Sequence, residues 1–161
     1  MAHQAPLAGA EGSDASRRAV RLIASRLSAQ RELLARHVVE RSRQEIVDYR
    51  SPSDPRLLDE TLGAAMAHID ALVLSMQTGD AVPDQYLTQI RQLAARRVHQ
   101  GVGLEGFLHA TRLWTFVCWY AVLGVARIDA PSEREAALEI ATTVMTLGDR
   151  IMTVATHAYL D

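Results

Sequence analysis

The segment over residues 94–114 constrains the fold of this chain more than any other. It reads AARRVHQGVGLEGFLHATRLW, in which a charged stretch ends at two glycines, Gly101 and Gly103, and a nearly uncharged stretch follows. Glycine readily takes the left-handed conformation that ends a helix, so the pattern predicts two helices joined by a tight turn. The second helix, over about residues 104–127, is apolar on nearly every face. Because such a helix has to be surrounded by protein, we expect it to lie enclosed at the centre of the domain.

Helical periodicity covers the rest of the chain, and no stretch alternates as a β-strand does. The breaker RSPSDP and the turn around Gly79 separate further helices, predicted over residues 14–27, 28–49, 54–78 and 83–101. Alternatively, the first two of these form one long kinked helix. A last helix begins at a capping box, Ser132 and Glu135, and continues towards the C-terminus. The positions predicted to face the core in the third and fourth helices are Leu58, Leu62, Ala65, Ile69, Leu72, Met76, Leu87, Ile90, Ala94 and Val98. Those predicted in the last helix are Ile140, Val144, Leu147, Ile151, Val154 and Ala158.

These helices predict one all-α domain, a six-helix globin-like or bundle fold with a buried central helix. A length of 161 residues, 48% of them hydrophobic, suits a single core over residues 13–161. Residues 1–12 are rich in alanine, glycine and proline, lack periodicity and are predicted to be a disordered leader.

Charge and composition exclude several classes of protein. A net charge of −2 gives no electrostatic footprint for nucleic acid. The longest uncharged run, over residues 113–126, is shorter than the ~18–20 residues that span a membrane, and the N-terminus does not resemble a signal peptide. The single cysteine, Cys118, lies in an apolar run, as expected of a buried thiol in a reducing compartment. We therefore expect a cytoplasmic protein without direct contact to nucleic acid or membrane.

No catalytic or metal-binding pattern is present in the sequence. The histidines form no pair at metal-ligand spacing, and the serines lack a nucleophile elbow. The glycines at 101, 103 and 106 match G-x-G-x-x-G, but a nucleotide-binding loop must follow a β-strand and this one follows a helix. The sequence therefore predicts no catalytic residue, no metal, no cofactor and no enzyme.

Arg112 stands out as a guanidinium on an otherwise apolar helix. Such a group has to be paired, and the candidate partners are Glu105 and Asp149. Alternatively, Arg112 extends its charge to solvent, or it recognises an anion in a ligand pocket. Haem binding is a separate possibility, for which His109 is the best candidate ligand because it lies on the most buried predicted helix. The further side chains that could line such a pocket are Phe107, Trp114, Trp119, Met145 and Met152.

The segment over residues 96–114 resembles the signature of the RsbRD-type (RsbT co-antagonist) N-terminal domain family, roughly A-R-R-x-x-Q-G-V-P-L-E-x-L-L-x-A-Y-R. The stretch VVERSRQEIVDY over residues 38–49 resembles a second pattern of that family. Two positions depart from the signature: Gly103 where the family often has proline, and Thr111 where it often has tyrosine. The matching residues are Arg96, Arg97, Gln100, Gly101, Val102, Leu104, Glu105, Leu108, Ala110 and Arg112.

The resemblance implies a sensory and dimerisation domain, globin-like but without haem, that pairs through its terminal helices as a homodimer. In this family the domain lies upstream of an output domain, either a STAS domain or a PucR/CdaR-type helix-turn-helix. The chain contains arginine but no lysine, which fits an actinobacterial source. We expect the last helix to lead into an output domain absent from this chain. The alternative prediction is a haem- or small-ligand-binding globin-like sensor.

Overall fold

The computed structural model describes residues 8–160, with side chains from residue 13, and these residues form seven helices and no strand. The helices are α1 (Ala8–Ala29), α2 (Arg31–Glu45), α3 (Val47–Arg50), α4 (Leu57–Thr78), α5 (Asp84–His99), α6 (Leu104–Val125) and α7 (Pro131–Leu160). The predicted all-α class is confirmed, with seven helices where the sequence predicted six. Of the predicted leader, residues 8–12 belong to α1, and residues 1–7 lie outside the described part.

The predicted helix over residues 28–49 is divided at Ile46. Its backbone is extended there, with φ −116° and ψ 123°, and α3 is a single turn beyond it. The kink allows Ile46 and Tyr49 both to reach the core, where they are 5% and 2% exposed. It also directs Asp48 towards the α5–α6 turn, where its Oδ2 accepts the backbone N–H of Gly103 at 2.9 Å.

The predicted helix ends at glycine are confirmed. Gly79 follows α4 with φ +75°, and Gly101 follows α5 with φ +79°. At the other end of α4, Asp54 Oδ1 accepts the backbone N–H of Arg56 at 2.9 Å, so Asp54 organises the turn before the helix. The helix itself begins at Leu57, three residues later than predicted.

The predicted core stripe of α4 is confirmed for Ala65, Ile69, Leu72 and Met76, which are buried, while Leu58 and Leu62 are half-buried against the core. Leu57, Thr61 and His68, which the predicted stripe did not include, are buried as well. In α5, Arg97 is 1% exposed, whereas Val98, predicted to face the core, is 48% exposed. Hydrophobicity alone placed Val98 inside, but Arg97 is buried because distant polar groups satisfy it.

The predicted enclosure of α6 is wrong for one of its faces. The helix packs against α2 and α7, and Trp114 and Cys118 are buried on that side. On the opposite side Phe116 is 53% exposed and Tyr120 is 66% exposed. An apolar side chain in the sequence indicates burial against protein, but it does not indicate whether the covering protein is the same chain.

The long helix α7 follows its predicted stripe. The first four predicted positions, Ile140 to Ile151, are buried, and Val154 and Ala158 are half-buried against the core. The helix passes close to α6, because a Cβ added to Gly148 would lie 2.6 Å from Thr115 Oγ1. A side chain at this position would therefore push the two helices apart.

The predicted capping box at the start of α7 is wrong, because the helix already begins at Pro131 and Ser132 lies within its first turn. The acidic residue that matters is Glu133, which is 3% exposed. Its Oε2 accepts the backbone N–H of Arg127 at 2.7 Å and Nη1 of Arg26 at 2.8 Å. Arg26 Nη1 also donates to the carbonyl of Val125 at 2.8 Å. This cluster ties α1 to the turn between α6 and α7.

We expect the Glu133→Gln variant to lose about 2 kcal/mol of unfolding free energy at neutral pH, since hydrogen bonds to charged groups have that magnitude. The backbone N–H of Arg127 and the Arg26 guanidinium lower the pKa of Glu133 to about 2. An unfolded glutamate has a higher pKa, so the native chain keeps this stabilisation above about pH 4.5 and loses it as the pH falls towards 2.

Urea unfolding at pH 7 and pH 3 measures both effects. The matched control is Glu135→Gln, since Glu135 is exposed on the same helix, and it should change little. Equal stabilities of the two variants at pH 7 would contradict the role of the Glu133 cluster.

Candidate functional site

The sequence-predicted pocket around Arg112 is not assembled. Arg112 is exposed, and neither predicted salt bridge, to Glu105 or to Asp149, forms within the described part of the chain. The His109 side chain is 38% exposed and its Nε2 lies 3.6 Å from Oε2 of Glu45 on α2. A haem ligand would lie in an apolar pocket, and His109 instead faces a carboxylate at the surface.

The other predicted pocket residues also lie apart. Trp114 is 1% exposed inside the core, Trp119 is half-buried and Met145 is 61% exposed on α7. Phe107 is buried against the ring of Tyr159, with 5.9 Å between ring centroids, and Met152 is half-buried. The cavity that Trp114 lines includes Phe107 but none of His109, Arg112, Trp119 and Met145.

A buried arginine forms the centre of the most extensive polar cluster. Nη1 of Arg97 donates to Glu60 Oε2 at 3.2 Å and to Gln100 Oε1, and Nη2 donates to Thr61 Oγ1 at 3.3 Å. Gln100 Nε2 donates to Glu60 Oε2 and to Asp54 Oδ2, each at 3.1 Å. Carboxylate and amide oxygens thus surround the guanidinium, which is what the burial of a cation requires. We call Asp54, Glu60, Thr61, Arg97 and Gln100 the Arg97 network.

The Arg97 network joins segments that are distant in sequence. It links the loop before α4 and the first turns of α4 to the α5–α6 turn. Two further helices bind the same turn. Asp48 on α3 accepts the backbone N–H of Gly103, and the hydroxyl of Tyr159 on α7 donates to the carbonyl of Val102 at 3.1 Å. A Cβ on Gly106 would lie 2.5 Å from Asp48 Oδ2, so glycine allows α3 to approach α6. The segment over residues 96–114 therefore forms the junction of five helices, α3 to α7.

The charges of the network are stabilised as ions. Hydrogen bonds from the side chain and backbone of Arg56 lower the pKa of Asp54 to about 2. Burial opposes the ionised form of Glu60, but hydrogen bonds from Gln100 and Arg97 outweigh it and lower the pKa of Glu60. Burial raises the pKa of Tyr49 although the Arg97 charge opposes this shift.

A second buried group, missed by the sequence analysis, lies beside Arg97. Nδ1 of His68 is 2.5 Å from the hydroxyl of Tyr86, and the His68 ring meets the Trp114 ring edge-on with 5.7 Å between centroids. Burial and the nearby charge of Arg97 lower the pKa of His68 to about 4, so this imidazole is neutral at pH 7. The residue was missed because it lies off the apolar stripe of α4, and Arg97 was missed because the predicted stripe of α5 ended on the apolar Val98 instead.

Two neighbouring spaces border these residues. A cavity of about 40 Å³, the inner cavity, is lined by Trp114, Thr111, His68 and Arg97 together with apolar side chains of α2, α4, α5 and α6. A cleft of about 310 Å³, the α4–α5 cleft, lies between α4 and α5 and opens outward. Ala64, His68 and Leu93 line both spaces, so they form the wall between the cleft and the inner cavity.

An apolar surface extends along α6 and α7 on the side away from the core. Helical spacing places its members on one side of the antiparallel pair that crosses at Thr115 and Gly148. The largest exposures are 65% for Leu138, 61% for Met145 and 53% for Phe116. We call this surface the α6–α7 face, and its residues are Phe116, Trp119, Leu123, Leu138, Met145 and Met152.

Residues 8–160 were compared with the requirements of a metal site and of a membrane-spanning helix, and they meet neither. No group of three or more histidine, cysteine, aspartate or glutamate side chains there could hold a metal ion. None of the helices in the described part combines the length and the apolar character needed to cross a membrane. Burial raises the pKa of the Cys118 thiol, which makes it a poor nucleophile.

A family model described as the RsbT co-antagonist protein rsbRD N-terminal domain matches residues 32–161. The match spans α2 to α7 and therefore includes the Arg97 network, the inner cavity and the α6–α7 face. No curated protein matches the chain.

Proposed function

Because the chain belongs to the RsbT co-antagonist protein RsbRD N-terminal domain family, we propose that it is a non-enzymatic signal-sensing and dimerisation domain of a bacterial regulator. The family is one of regulatory N-terminal domains in stress-response regulation. The observation that carries the proposal is the α6–α7 face. A contiguous apolar surface on two adjacent helices is a typical site of protein–protein contact.

A second copy of this chain is the occupant that the α6–α7 face fits best. Two antiparallel helices that pack on their symmetry mates form a four-helix bundle, and twofold dimers are the commonest soluble oligomers. From Leu138 to Met152 the face is ~21 Å long, at 1.5 Å per residue. With two helices about 9 Å apart, each copy would bury on the order of 600 Å², the lower end of stable interfaces.

Charge complementarity supports the same arrangement. Arg112 on α6 and Asp149 on α7 border the face, and both are exposed. Neither has an ion-pair partner within the described part of the chain. In a twofold interface, each contact between residues occurs twice, so Arg112 of one copy can pair with Asp149 of the other. The ion pair expected from the sequence would then form between copies.

The interface we propose differs in part from the one that the sequence predicted. The sequence pointed to both terminal helices, α1 and α7. In the structure α1 packs against α4, α6 and α7 and places Val20, Ile23 and Leu27 in the core. We therefore keep α7 in the interface and assign the second helix to α6.

Two finer parts of the proposal come from the family: a globin-like helix arrangement without haem, and an output domain of the STAS or helix-turn-helix type. The cytoplasmic location and the actinobacterial source are proposed from the single cysteine and from the arginine-only set of basic residues. Signals would reach that output domain through a change in the packing of α7 in the dimer. Of the alternative functions, haem binding has the weaker support, because the His109 side chain is 38% exposed and lies 3.6 Å from a Glu45 oxygen, whereas a haem ligand lies in an apolar pocket.

Tryptophan fluorescence tests the proposed dimer. Trp119 lies on the α6–α7 face and Trp114 in the core, so each can be observed separately. In the Trp114→Phe variant, we expect Trp119 emission to shift to the blue as the chain is concentrated from about 0.5 to 100 µM, because dimerisation buries its ring. The Trp119→Phe control, which reports Trp114, should not change. Constant emission in both variants would contradict the proposal.

A further inference from the structure

We propose that the inner cavity and the α4–α5 cleft together bind a small neutral molecule that presents a carbonyl oxygen to the indole N–H of Trp114. This inference deepens the proposed sensory function and rests on it for the biological purpose of binding. It relocates the ligand site from the Arg112 surface of α6 to the opposite, buried side of the same helix.

The indole N–H of Trp114 is a buried donor without a partner among the described residues. Trp114 is 1% exposed and lines the inner cavity, and its Nε1 has no hydrogen-bond partner among the described residues. Buried indole N–H groups usually have an acceptor. The hydroxyls of Tyr49, Thr61 and Thr111 also line the cavity, but Trp114 Nε1 makes a hydrogen bond to none of them. A ligand oxygen in the cavity would complete this bond.

The groups on the cavity wall favour a ligand without charge. Arg97 is the cation at the cavity wall, and it is already paired with Glu60 at 3.2 Å. His68, on the same wall, is neutral at pH 7 because burial lowers its pKa. A carboxylate in the cavity would therefore lack a free counter-charge, whereas a neutral carbonyl needs only a hydrogen-bond donor. The site favours a ketone, amide or ester over an acid.

The volumes of the two spaces limit the size of the ligand. The inner cavity of about 40 Å³ accommodates about three water-sized groups, the size of an acetyl group. The body of the ligand would extend past Ala64 and Leu93 into the α4–α5 cleft, which Ala67 and Ile90 also line. The cleft and the cavity together approach the volume of a small-molecule site.

The test uses three probes of one shape: acetophenone, its isostere α-methylstyrene, which has CH₂ in place of the oxygen, and benzoate. The two indole N–H resonances of the native chain are assigned in ¹H–¹⁵N spectra with the Trp119→Phe variant. Acetophenone should move the Trp114 indole resonance in a saturable way and leave that of Trp119 in place. Trp114→Phe should weaken acetophenone binding about fivefold, the typical effect of one neutral hydrogen bond. α-Methylstyrene should bind equally weakly to both proteins.

Two further variants keep the test decisive. Leu93→Trp fills the wall between cleft and cavity and should abolish acetophenone binding even if Trp114→Phe proves too unstable to study. Arg91→Ala changes an exposed side chain on the same helix that lines neither the cavity nor the cleft, and it should retain binding. An unchanged Trp114 resonance up to millimolar acetophenone, equal affinity for α-methylstyrene, or tighter binding of benzoate would each overturn the inference. Because binding is read in the Trp114 signal and dimerisation in the molecular mass, failure of one proposal is distinguishable from failure of the other.

Discussion

Replacing Arg97 with methionine should lower the free energy of unfolding by about 3–5 kcal/mol, the usual effect of removing one partner of a buried ion pair. The substitution leaves Glu60 and Gln100 without the guanidinium that both contact, while methionine fills a similar volume. Loss of these bonds should also loosen the α5–α6 turn, since Gln100 and Val102 anchor the neighbouring segments there. Equilibrium urea denaturation measures the change.

Arg96 provides the matched control for this experiment. Its side chain is 60% exposed, and its Nη1 lies 3.6 Å from the same Glu60 oxygen that Arg97 contacts. Surface ion pairs contribute little, so Arg96→Met should change the stability by less than about 1 kcal/mol. If the Arg96 and Arg97 variants proved equally stable, the Arg97 network would not be the junction that holds α3, α4 and the α5–α6 turn together.

The second large effect is expected at the α6–α7 face. The double variant Phe116→Asp and Met145→Asp should raise the dimer dissociation constant by more than about 100-fold, because it places unpaired carboxylates in a desolvated apolar interface. Phe116 and Met145 are 53% and 61% exposed in the single chain, so the fold of the monomer should survive. Sedimentation velocity measures the dissociation constant, and circular dichroism verifies the helix content.

A control variant separates this interface from general surface polarity. Leu33→Asp with Leu74→Asp changes two comparably exposed leucines on α2 and α4, outside the α6–α7 face. This control should dimerise as the native chain does. Dissociation of the control to the same extent, or full dimerisation of the Phe116 and Met145 variant, would place the interface elsewhere.

The helices could be predicted from the sequence because local physics determines them. Gly79 and Gly101 end helices where the sequence predicted it, and the stripe from Ile140 to Ile151 is buried as expected. The break at Ile46 could not be predicted, because it depends on Asp48 reaching Gly103, 55 residues away. Boundaries that tertiary contacts set are not visible in local periodicity.

The candidate site was harder to predict, because burial of a polar residue depends on its partners. The sequence predicted a special role for Arg112 because it lies on the apolar α6, but this side chain is exposed. Arg97 lies in a charged stretch of the sequence, but it is buried against Glu60 from another helix. Periodicity cannot show that partner. The family resemblance did include Arg97 and Gln100 among its matching residues, so the signature contained the network although its physical reason became visible only in three dimensions.

The exposure of one side of α6 could not be predicted from its apolar composition either. Phe116 reads in sequence like a core residue, because a helix face that covers a partner has the same composition as one that covers its own core. The prediction of a wholly enclosed α6 was wrong for this reason, and the exposed side is the face that we assign to a second copy.

Sedimentation equilibrium of the native chain at micromolar concentration tests the central claim most directly. The account predicts a mass of about 35 kDa, twice the 17.7 kDa of one chain, that falls towards the monomer on dilution. A mass of 17.7 kDa throughout the micromolar range would contradict the claim that the α6–α7 face pairs two copies of this regulatory domain.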